Sequence, residues 1–300
     1  MTEFSGSFVA IVTPMKNGEI DERSLRALLR MHVESGTSGV VPAGCTGEAA
    51  TLTAGERARL LDICLEEVGG KMPVVPGTGT NSTRTTIELT TAARDAGADA
   101  ALVITPYYNK PTPDGQYAHY KALAEAVDIP IMLYNVPSRT GVSMLPETIA
   151  RLAEIPNIVA VKEASGSVDQ VASIRGLCDI AILSGDDPLT LPMMSVGASG
   201  VVSVVANVAP RLVSEMVASF PSDPVRAMEL HRDVRLLSQA LFLETNPGPV
   251  KHALRELGLI SSGELRLPLV DVTQETGAAM EPAIERVRQL AGTSSASERR

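Results

Sequence analysis

The chain has 300 residues, of which 44% are hydrophobic, 20% charged and 3% aromatic, with no Trp and a formal net charge of −9. That acidity argues against gripping a nucleic-acid backbone, and the lack of aromatic rings argues against stacking single-stranded bases. Three cysteines without a C-x-x-C pair speak against a disulfide framework or a cysteine zinc site, and for a reducing, cytoplasmic setting.

No signal-peptide pattern opens the chain. The uncharged stretch 188–210 is broken by Pro and Gly and reads as a helix followed by a buried strand rather than a membrane span. In chain order, eight short apolar runs rich in β-branched residues occur at 8–13, 39–42, 73–76, 100–105, 129–134, 158–162, 180–184 and 200–205. Their near-continuous hydrophobicity suits strands buried on both faces. Helical signals lie between them. Asp21 precedes 24–34, Thr53 precedes 55–68, Asn81 or Ser82 can cap 83–96, and Gly97 is a stop. Pro113, Pro146 and Pro188 sit where a first helical turn tolerates proline.

Eight strand-then-helix units predict an α/β fold, a (βα)8 TIM barrel, over 1–224. A doubly wound sheet would use fewer units and a Gly-rich nucleotide fingerprint, which Gly-Thr-Gly-Thr-Asn-Ser at 77–82 is not. From about Val225 only helical patterns remain, at 226–245, 248–257 and 274–291. They predict a C-terminal helical extension over 225–300, with a polar tail from Gly292 that frays.

In such barrels the chemistry sits at the C-terminal strand ends. Two of these ends carry residues foreign to a strand interior, Tyr134 and Lys162. A buried lysine has a lowered pKa and can act as an amine nucleophile toward a carbonyl; the plain alternative is an ion pair with Glu163 or another nearby acid. Tyr134 can move protons beside that amine, or be a half-buried phenol with a satisfied hydroxyl. The turn Gly44-Cys45-Thr46-Gly47 offers N–H groups suited to a carboxylate, or is an ordinary strand–helix connection. Arg139 can grip a carboxylate through two bonds, or form a surface ion pair. Asp186 and Asp187 are read as caps of the helix that begins at Pro188, not as a metal pair. The four histidines, His32, His119, His231 and His252, fall in helices and are read as structural or exposed.

Six motifs at these ends stand out: G-x-x-G-E at 44–48, I-T-P-Y-Y-N-K-P at 104–111, Y-N-V-P-S-R-T-G at 134–141, K-E-A-S-G at 162–166, L-S-G-D-D at 183–187 and N-P-x-P-V-K at 246–251. With them the chain resembles the dihydrodipicolinate synthase / N-acetylneuraminate lyase family, the lysine-dependent pyruvate aldolases, from Gly6 to about Leu269. The resemblance implies a lyase that needs no metal or organic cofactor, because Lys162 itself forms an imine with pyruvate. It implies that Tyr134 shuttles protons and that Tyr108 completes a relay by reaching into a neighbouring subunit. It implies that Thr46 holds the pyruvate carboxylate, and that Gly185 and the backbone of Val202 line the imine pocket. Arg139 points to the branch that condenses pyruvate with L-aspartate-4-semialdehyde to 4-hydroxy-tetrahydrodipicolinate, toward diaminopimelate and lysine. Another pyruvate aldolase acting on a sugar acid, or a non-catalytic barrel that binds a keto acid, are the rivals. Family members form homotetramers built as two tight dimers, and the exchanged tyrosine calls for at least a dimer.

Two departures from the family pattern carry expectations. Cys45 stands where a relay threonine is usual, and a thiol is a weaker hydrogen-bond partner. Thr85, Ala54 and Arg57 replace the acid and the histidines of lysine-inhibited members. Feedback inhibition by lysine is therefore expected to be weak or absent.

Overall fold

The computed structural model describes residues 4–297. Seven parallel strands form one sheet: β1 (Gly6–Ala10), β4 (Gly39–Val41), β5 (Ala101–Ile104), β6 (Ile131–Asn135), β7 (Ile158–Glu163), β8 (Ala181–Ser184) and β9 (Gly200–Ser203). Their order is β4-β1-β9-β8-β7-β6-β5, and a two-stranded ribbon of β2 (Met15–Lys16) and β3 (Glu19–Ile20) stands apart. The edges β4 and β5 are joined by the run at 73–77, so the barrel closes. This run makes no continuous ladder, only bridges of Val74 to Val40 and Gly77 to Leu102. The reason lies in its prolines: Pro73 and Pro76 have no N–H to donate. They still accept, Val40 N–H donating to Pro73 O at 2.9 Å and Leu102 N–H to Pro76 O at 2.9 Å.

Helices alternate with the strands: α1 (Glu22–Glu34), α2 (Ala54–Val68), α3 (Thr83–Ala96), α4 (Pro113–Ala126), the short α5 (Pro137–Thr140), α6 (Pro146–Ala153), α7 (Val168–Leu177), α8 (Thr190–Ser195) and α9 (Pro210–Ser219). The expected caps are in place. Asp21 accepts from Ser24 N–H, Thr53 forms a capping box with Glu56, and Ser82 rather than Asn81 caps α3. Gly97 ends α3 at φ 97°, a conformation that favours glycine. The stretch 188–210 holds α8 and β9, and among the described residues no helix is long and apolar enough to cross a membrane.

Past the barrel come α10 (Pro224–Leu241), α11 (Gly248–Glu256) and α12 (Gln274–Ser297). α10 packs on α9 and α12, and α11 on α12. α10 stops short of 245, and α12 continues beyond 291 into the segment expected to fray; residues 298–300 of that tail lie outside the described residues. The histidines stand in α1, α4, α10 and α11, where His32 pairs with Thr37 and His119 with Thr83.

Strand alternation divides the core. Phe8, Ala10, Val41, Leu102, Met132, Ala160, Leu183 and Val202 fill the barrel, while Val9, Val40, Val103, Leu133, Val161 and Ile182 face the helices. Two residues on from Met132 and Ala160, the same parity turns Tyr134 and Lys162 inward. It turns Glu163 outward.

Candidate active site

Tyr134 and Lys162 are register partners across β6 and β7. The Lys162 Nζ lies 4.2 Å from the centroid of the Tyr134 ring, within the range of a cation–π contact. Lys162 is 5% exposed. Burial pushes its amine below the ordinary lysine range, and the fields of Cys45, Asp186 and Asp187 oppose that only in part. Burial also pushes the Tyr134 phenol well above its usual value, and the nearby Cys45 thiol adds to this while Arg139 opposes it. A neutral amine thus becomes accessible beside a phenol that keeps its proton.

Gly185 makes room for the lysine. Its N–H donates to Glu163 O at 2.7 Å, and a Cβ there would stand 2.5 Å from Ala164 Cβ and 3.1 Å from Lys162 Cε. Gly185→Ala is expected to cost about 1–3 kcal/mol of stability through overpacking and to slow covalent capture of a keto acid. Thermal melts and trapping rates on the variant check both.

The pairing of Lys162 with Glu163 does not occur, because neighbouring residues of a strand face opposite sides. Glu163 accepts instead from Asn135 Nδ2 at 3.0 Å, Ser165 N–H at 2.8 Å and Gln170 Nε2 at 3.1 Å. The capping role expected of the two aspartates is also overturned. Asp187 accepts from the Ser203 hydroxyl, from Val204 N–H at 2.9 Å and from Val205 N–H at 3.2 Å, tying the end of β8 to the end of β9. Asp186 makes no side-chain cap, and its Oδ2 is buried without a hydrogen-bond partner among the described residues.

Above the tyrosine opens a cavity of about 330 Å³ whose walls include Gly44, Cys45, Tyr107, Tyr134, Arg139 and Asn246. Thr46 is buried at its edge, where its Oγ1 accepts from Asn246 Nδ2 at 2.9 Å. Arg139 donates to the backbone O of Asn246 at 3.0 Å rather than to a surface acid. Thr13 steadies the turn by donating its hydroxyl to Gly47 O at 2.8 Å. Arg57 also borders the cavity, donating to Gly77 O at 3.1 Å and to Ala49 O.

Lys162, Tyr134, Cys45, Thr46, Arg139 and Gly185 therefore gather at one end of the barrel. Val202 lies in the barrel interior opposite Phe8 of β1 and belongs to the same apolar cluster as Tyr134. Tyr108 does not join them. It stands 89% exposed at φ 68°, outside the cavity that its neighbour Tyr107 lines. Among the described residues no group of three or more His, Cys, Asp or Glu side chains is placed to hold a metal ion.

Three residues of the C-terminal region matter more than the sequence alone suggested. Asn246 links Thr46 to Arg139. Lys251, fully buried, donates to Glu48 Oε1 at 2.7 Å and to Thr13 O at 3.0 Å. Arg266 donates its N–H to Glu48 Oε2 at 3.0 Å. The motif at 246–251 and the glutamate of G-x-x-G-E were the only signals for the first two, and neither revealed a partner.

Comparison with known proteins agrees with this fold. The model of the dihydrodipicolinate synthetase family matches residues 3–287. The 4-hydroxy-tetrahydrodipicolinate synthase of Syntrophus aciditrophicus is 52% identical over 274 residues, covering 90% of this chain and 94% of that one. Its counterpart from Methanothrix thermoacetophila is 52% identical over 294 residues, covering 96% and 99%. Among solved structures, the chloride-inhibited dihydrodipicolinate synthase of Acinetobacter baumannii, complexed with pyruvate, superposes with a TM-score of 0.91 at 46% identity, covering 95% of this chain and 99% of that one. On the fold, the gathered strand ends and these likenesses, the chain belongs to the dihydrodipicolinate synthetase family.

Proposed function

We propose that the protein is a lyase that condenses pyruvate with L-aspartate-4-semialdehyde to 4-hydroxy-tetrahydrodipicolinate. The observation that carries this reading is the buried Lys162 amine set against the Tyr134 ring at 4.2 Å inside the barrel mouth. Family membership and the pyruvate complex of the Acinetobacter baumannii relative support it.

The unprotonated amine of Lys162 attacks the pyruvate carbonyl carbon, and loss of water leaves an imine. Tyr134 supplies the proton that carries off the carbonyl oxygen as water. Thr46 and the N–H groups of its turn hold the pyruvate carboxylate. Loss of a methyl proton gives the enamine, whose carbon attacks the aldehyde carbon as the aldehyde oxygen takes up a proton. The amino group of the new adduct then closes on the imine carbon and releases Lys162. The lysine is the electron sink, so this course needs no metal or organic cofactor. Borohydride reduction in the presence of pyruvate is expected to add the keto-acid mass to the Lys162 peptide. An unmodified peptide in active protein would overturn the scheme.

Arg139 sits beside the cavity with its guanidinium steadied by Asn246 O, where it receives the semialdehyde carboxylate. A charge-assisted contact of about 1.5–3 kcal/mol makes Arg139→Ala lose roughly 10- to 150-fold in kcat/KM for the semialdehyde. Pyruvate trapping should persist. A variant that keeps the parent's preference for the semialdehyde would show that Arg139 does not set it, whereas a parent that traps pyruvate without preferring the semialdehyde would favour the rival aldolase reading.

The exposure of Tyr108 fits a side chain completed by another subunit, in a homodimer or a tetramer of two dimers working in the cytoplasm. Sedimentation of the protein should show no monomer at assay concentration. Thr85 stands in the acidic place of lysine-inhibited members and Ala54 and Arg57 in the histidine places, so a lysine ammonium would lose its counter-charge and meet a cation instead. Initial rates are expected to be unchanged by sub-millimolar lysine, and half-inhibition in that range would contradict this.

A further inference from the structure

We propose that the side-chain amide of Asn246 fixes the direction of the Thr46 hydroxyl, so that its hydrogen is presented to the carboxylate of the keto acid. This rests on the reading above, in which Thr46 holds the pyruvate carboxylate. Asn246 Nδ2 donates to Thr46 Oγ1 at 2.9 Å, with both residues buried, Asn246 at 5% and Thr46 at 3% exposed. A hydroxyl oxygen that accepts an N–H has its own hydrogen free to point elsewhere. Among the described hydrogen bonds none uses the Thr46 hydroxyl as donor.

The arrangement satisfies one end of the amide only. Asn246 Oδ1 is buried with no hydrogen-bond partner among the described residues. The flipped amide would let Oδ1 accept the Thr46 hydrogen, but it would bury an NH2 group with nothing to receive it, and orphaned donors are rarer than orphaned acceptors. It would also consume the donor that a carboxylate needs. The observed orientation leaves the site with a directed O–H and no competing acceptor on that hydroxyl.

The two carboxylate sites can be tested apart. Arg139 is held by the backbone oxygen of Asn246, which survives any side-chain change. Asn246→Asp keeps the shape but supplies only acceptors when ionised. It turns the Thr46 hydrogen away from the cavity and sets a negative charge beside the bound carboxylate. The expected result is a rise in pyruvate KM on the order of 100-fold, with the semialdehyde KM within about threefold of the parent. In Asn246→Ala the hydroxyl merely rotates freely, and the rise is about tenfold. The Asn246→Asp defect should shrink on acidification, as a protonated carboxyl regains a donor for Thr46 Oγ1. The pyruvate dependence of borohydride trapping, followed across pH, reads this without turnover.

Equal shifts in both KM values, a pH-independent defect, or a larger effect in Asn246→Ala than in Asn246→Asp would each overturn the proposal. Failure of the parent protein to trap pyruvate on Lys162 would instead overturn the reading on which it rests. Parent trapping with unchanged pyruvate dependence in Asn246→Asp would overturn this inference alone.

Discussion

Lys162→Met is expected to abolish imine trapping and to lower turnover by on the order of 10⁴-fold or more, since the whole covalent route depends on one amine. The same change should leave the protein equally or more stable. Burial depresses the Lys162 pKa, so the unfolded chain binds a proton more readily than the folded one. For a group of this kind, stability falls as pH drops from the ordinary lysine range through the lowered value, and the full penalty is present below it. Methionine removes that penalty, so its gain in melting temperature should be greatest below the lowered value and vanish in strongly alkaline buffer. Loss of activity with loss of stability at neutral pH would mean that Lys162 is a structural cation rather than a nucleophile.

Lys251→Met is expected to give the second large effect, this time on stability. The Lys251 and Glu48 side chains are both wholly buried and joined at 2.7 Å. Removing the lysine leaves a carboxylate in the interior, with Arg266 N–H at 3.0 Å as its remaining close donor. Breaking one side of such a pair costs about 3–5 kcal/mol. For a domain of this size that is a fall of roughly 6–20 °C in melting temperature. Neutralising the partner as well, in Lys251→Met with Glu48→Gln, should recover part of the loss, because no unpaired charge stays buried. A single variant that melts like the parent would show that water reaches this pair.

The barrel was legible because each strand is a short apolar run and each helix begins at a capping side chain. The inward direction of Lys162 and Tyr134 was not legible, because runs apolar on both faces look alike from either side; it comes from strand alternation relative to Met132 and Ala160, which fill the barrel. The same alternation sets Glu163 on the far side. What else escaped reading depends on partners distant along the chain. Asp187 looked like a local cap, but its carboxylate serves Ser203 across a neighbouring strand. Asn246 meets Thr46 200 residues away, and Lys251 meets Glu48 203 residues away. No spacing rule reaches that far. The run at 73–76 was recognised as a strand from its composition, yet its two prolines limit it to isolated bridges.

The placing of Asn246, Lys251 and Arg266 bears on how the protein comes into being. Chains emerge from the ribosome amino end first, and early segments can begin folding during synthesis. Here Thr46 precedes Asn246 by 200 residues and Glu48 precedes Lys251 by 203, with Lys162 between. A nascent barrel would therefore carry its amine before its pocket was braced. Catalytic competence would wait on the segment that carries Asn246, Lys251 and Arg266, well after the amine itself is made.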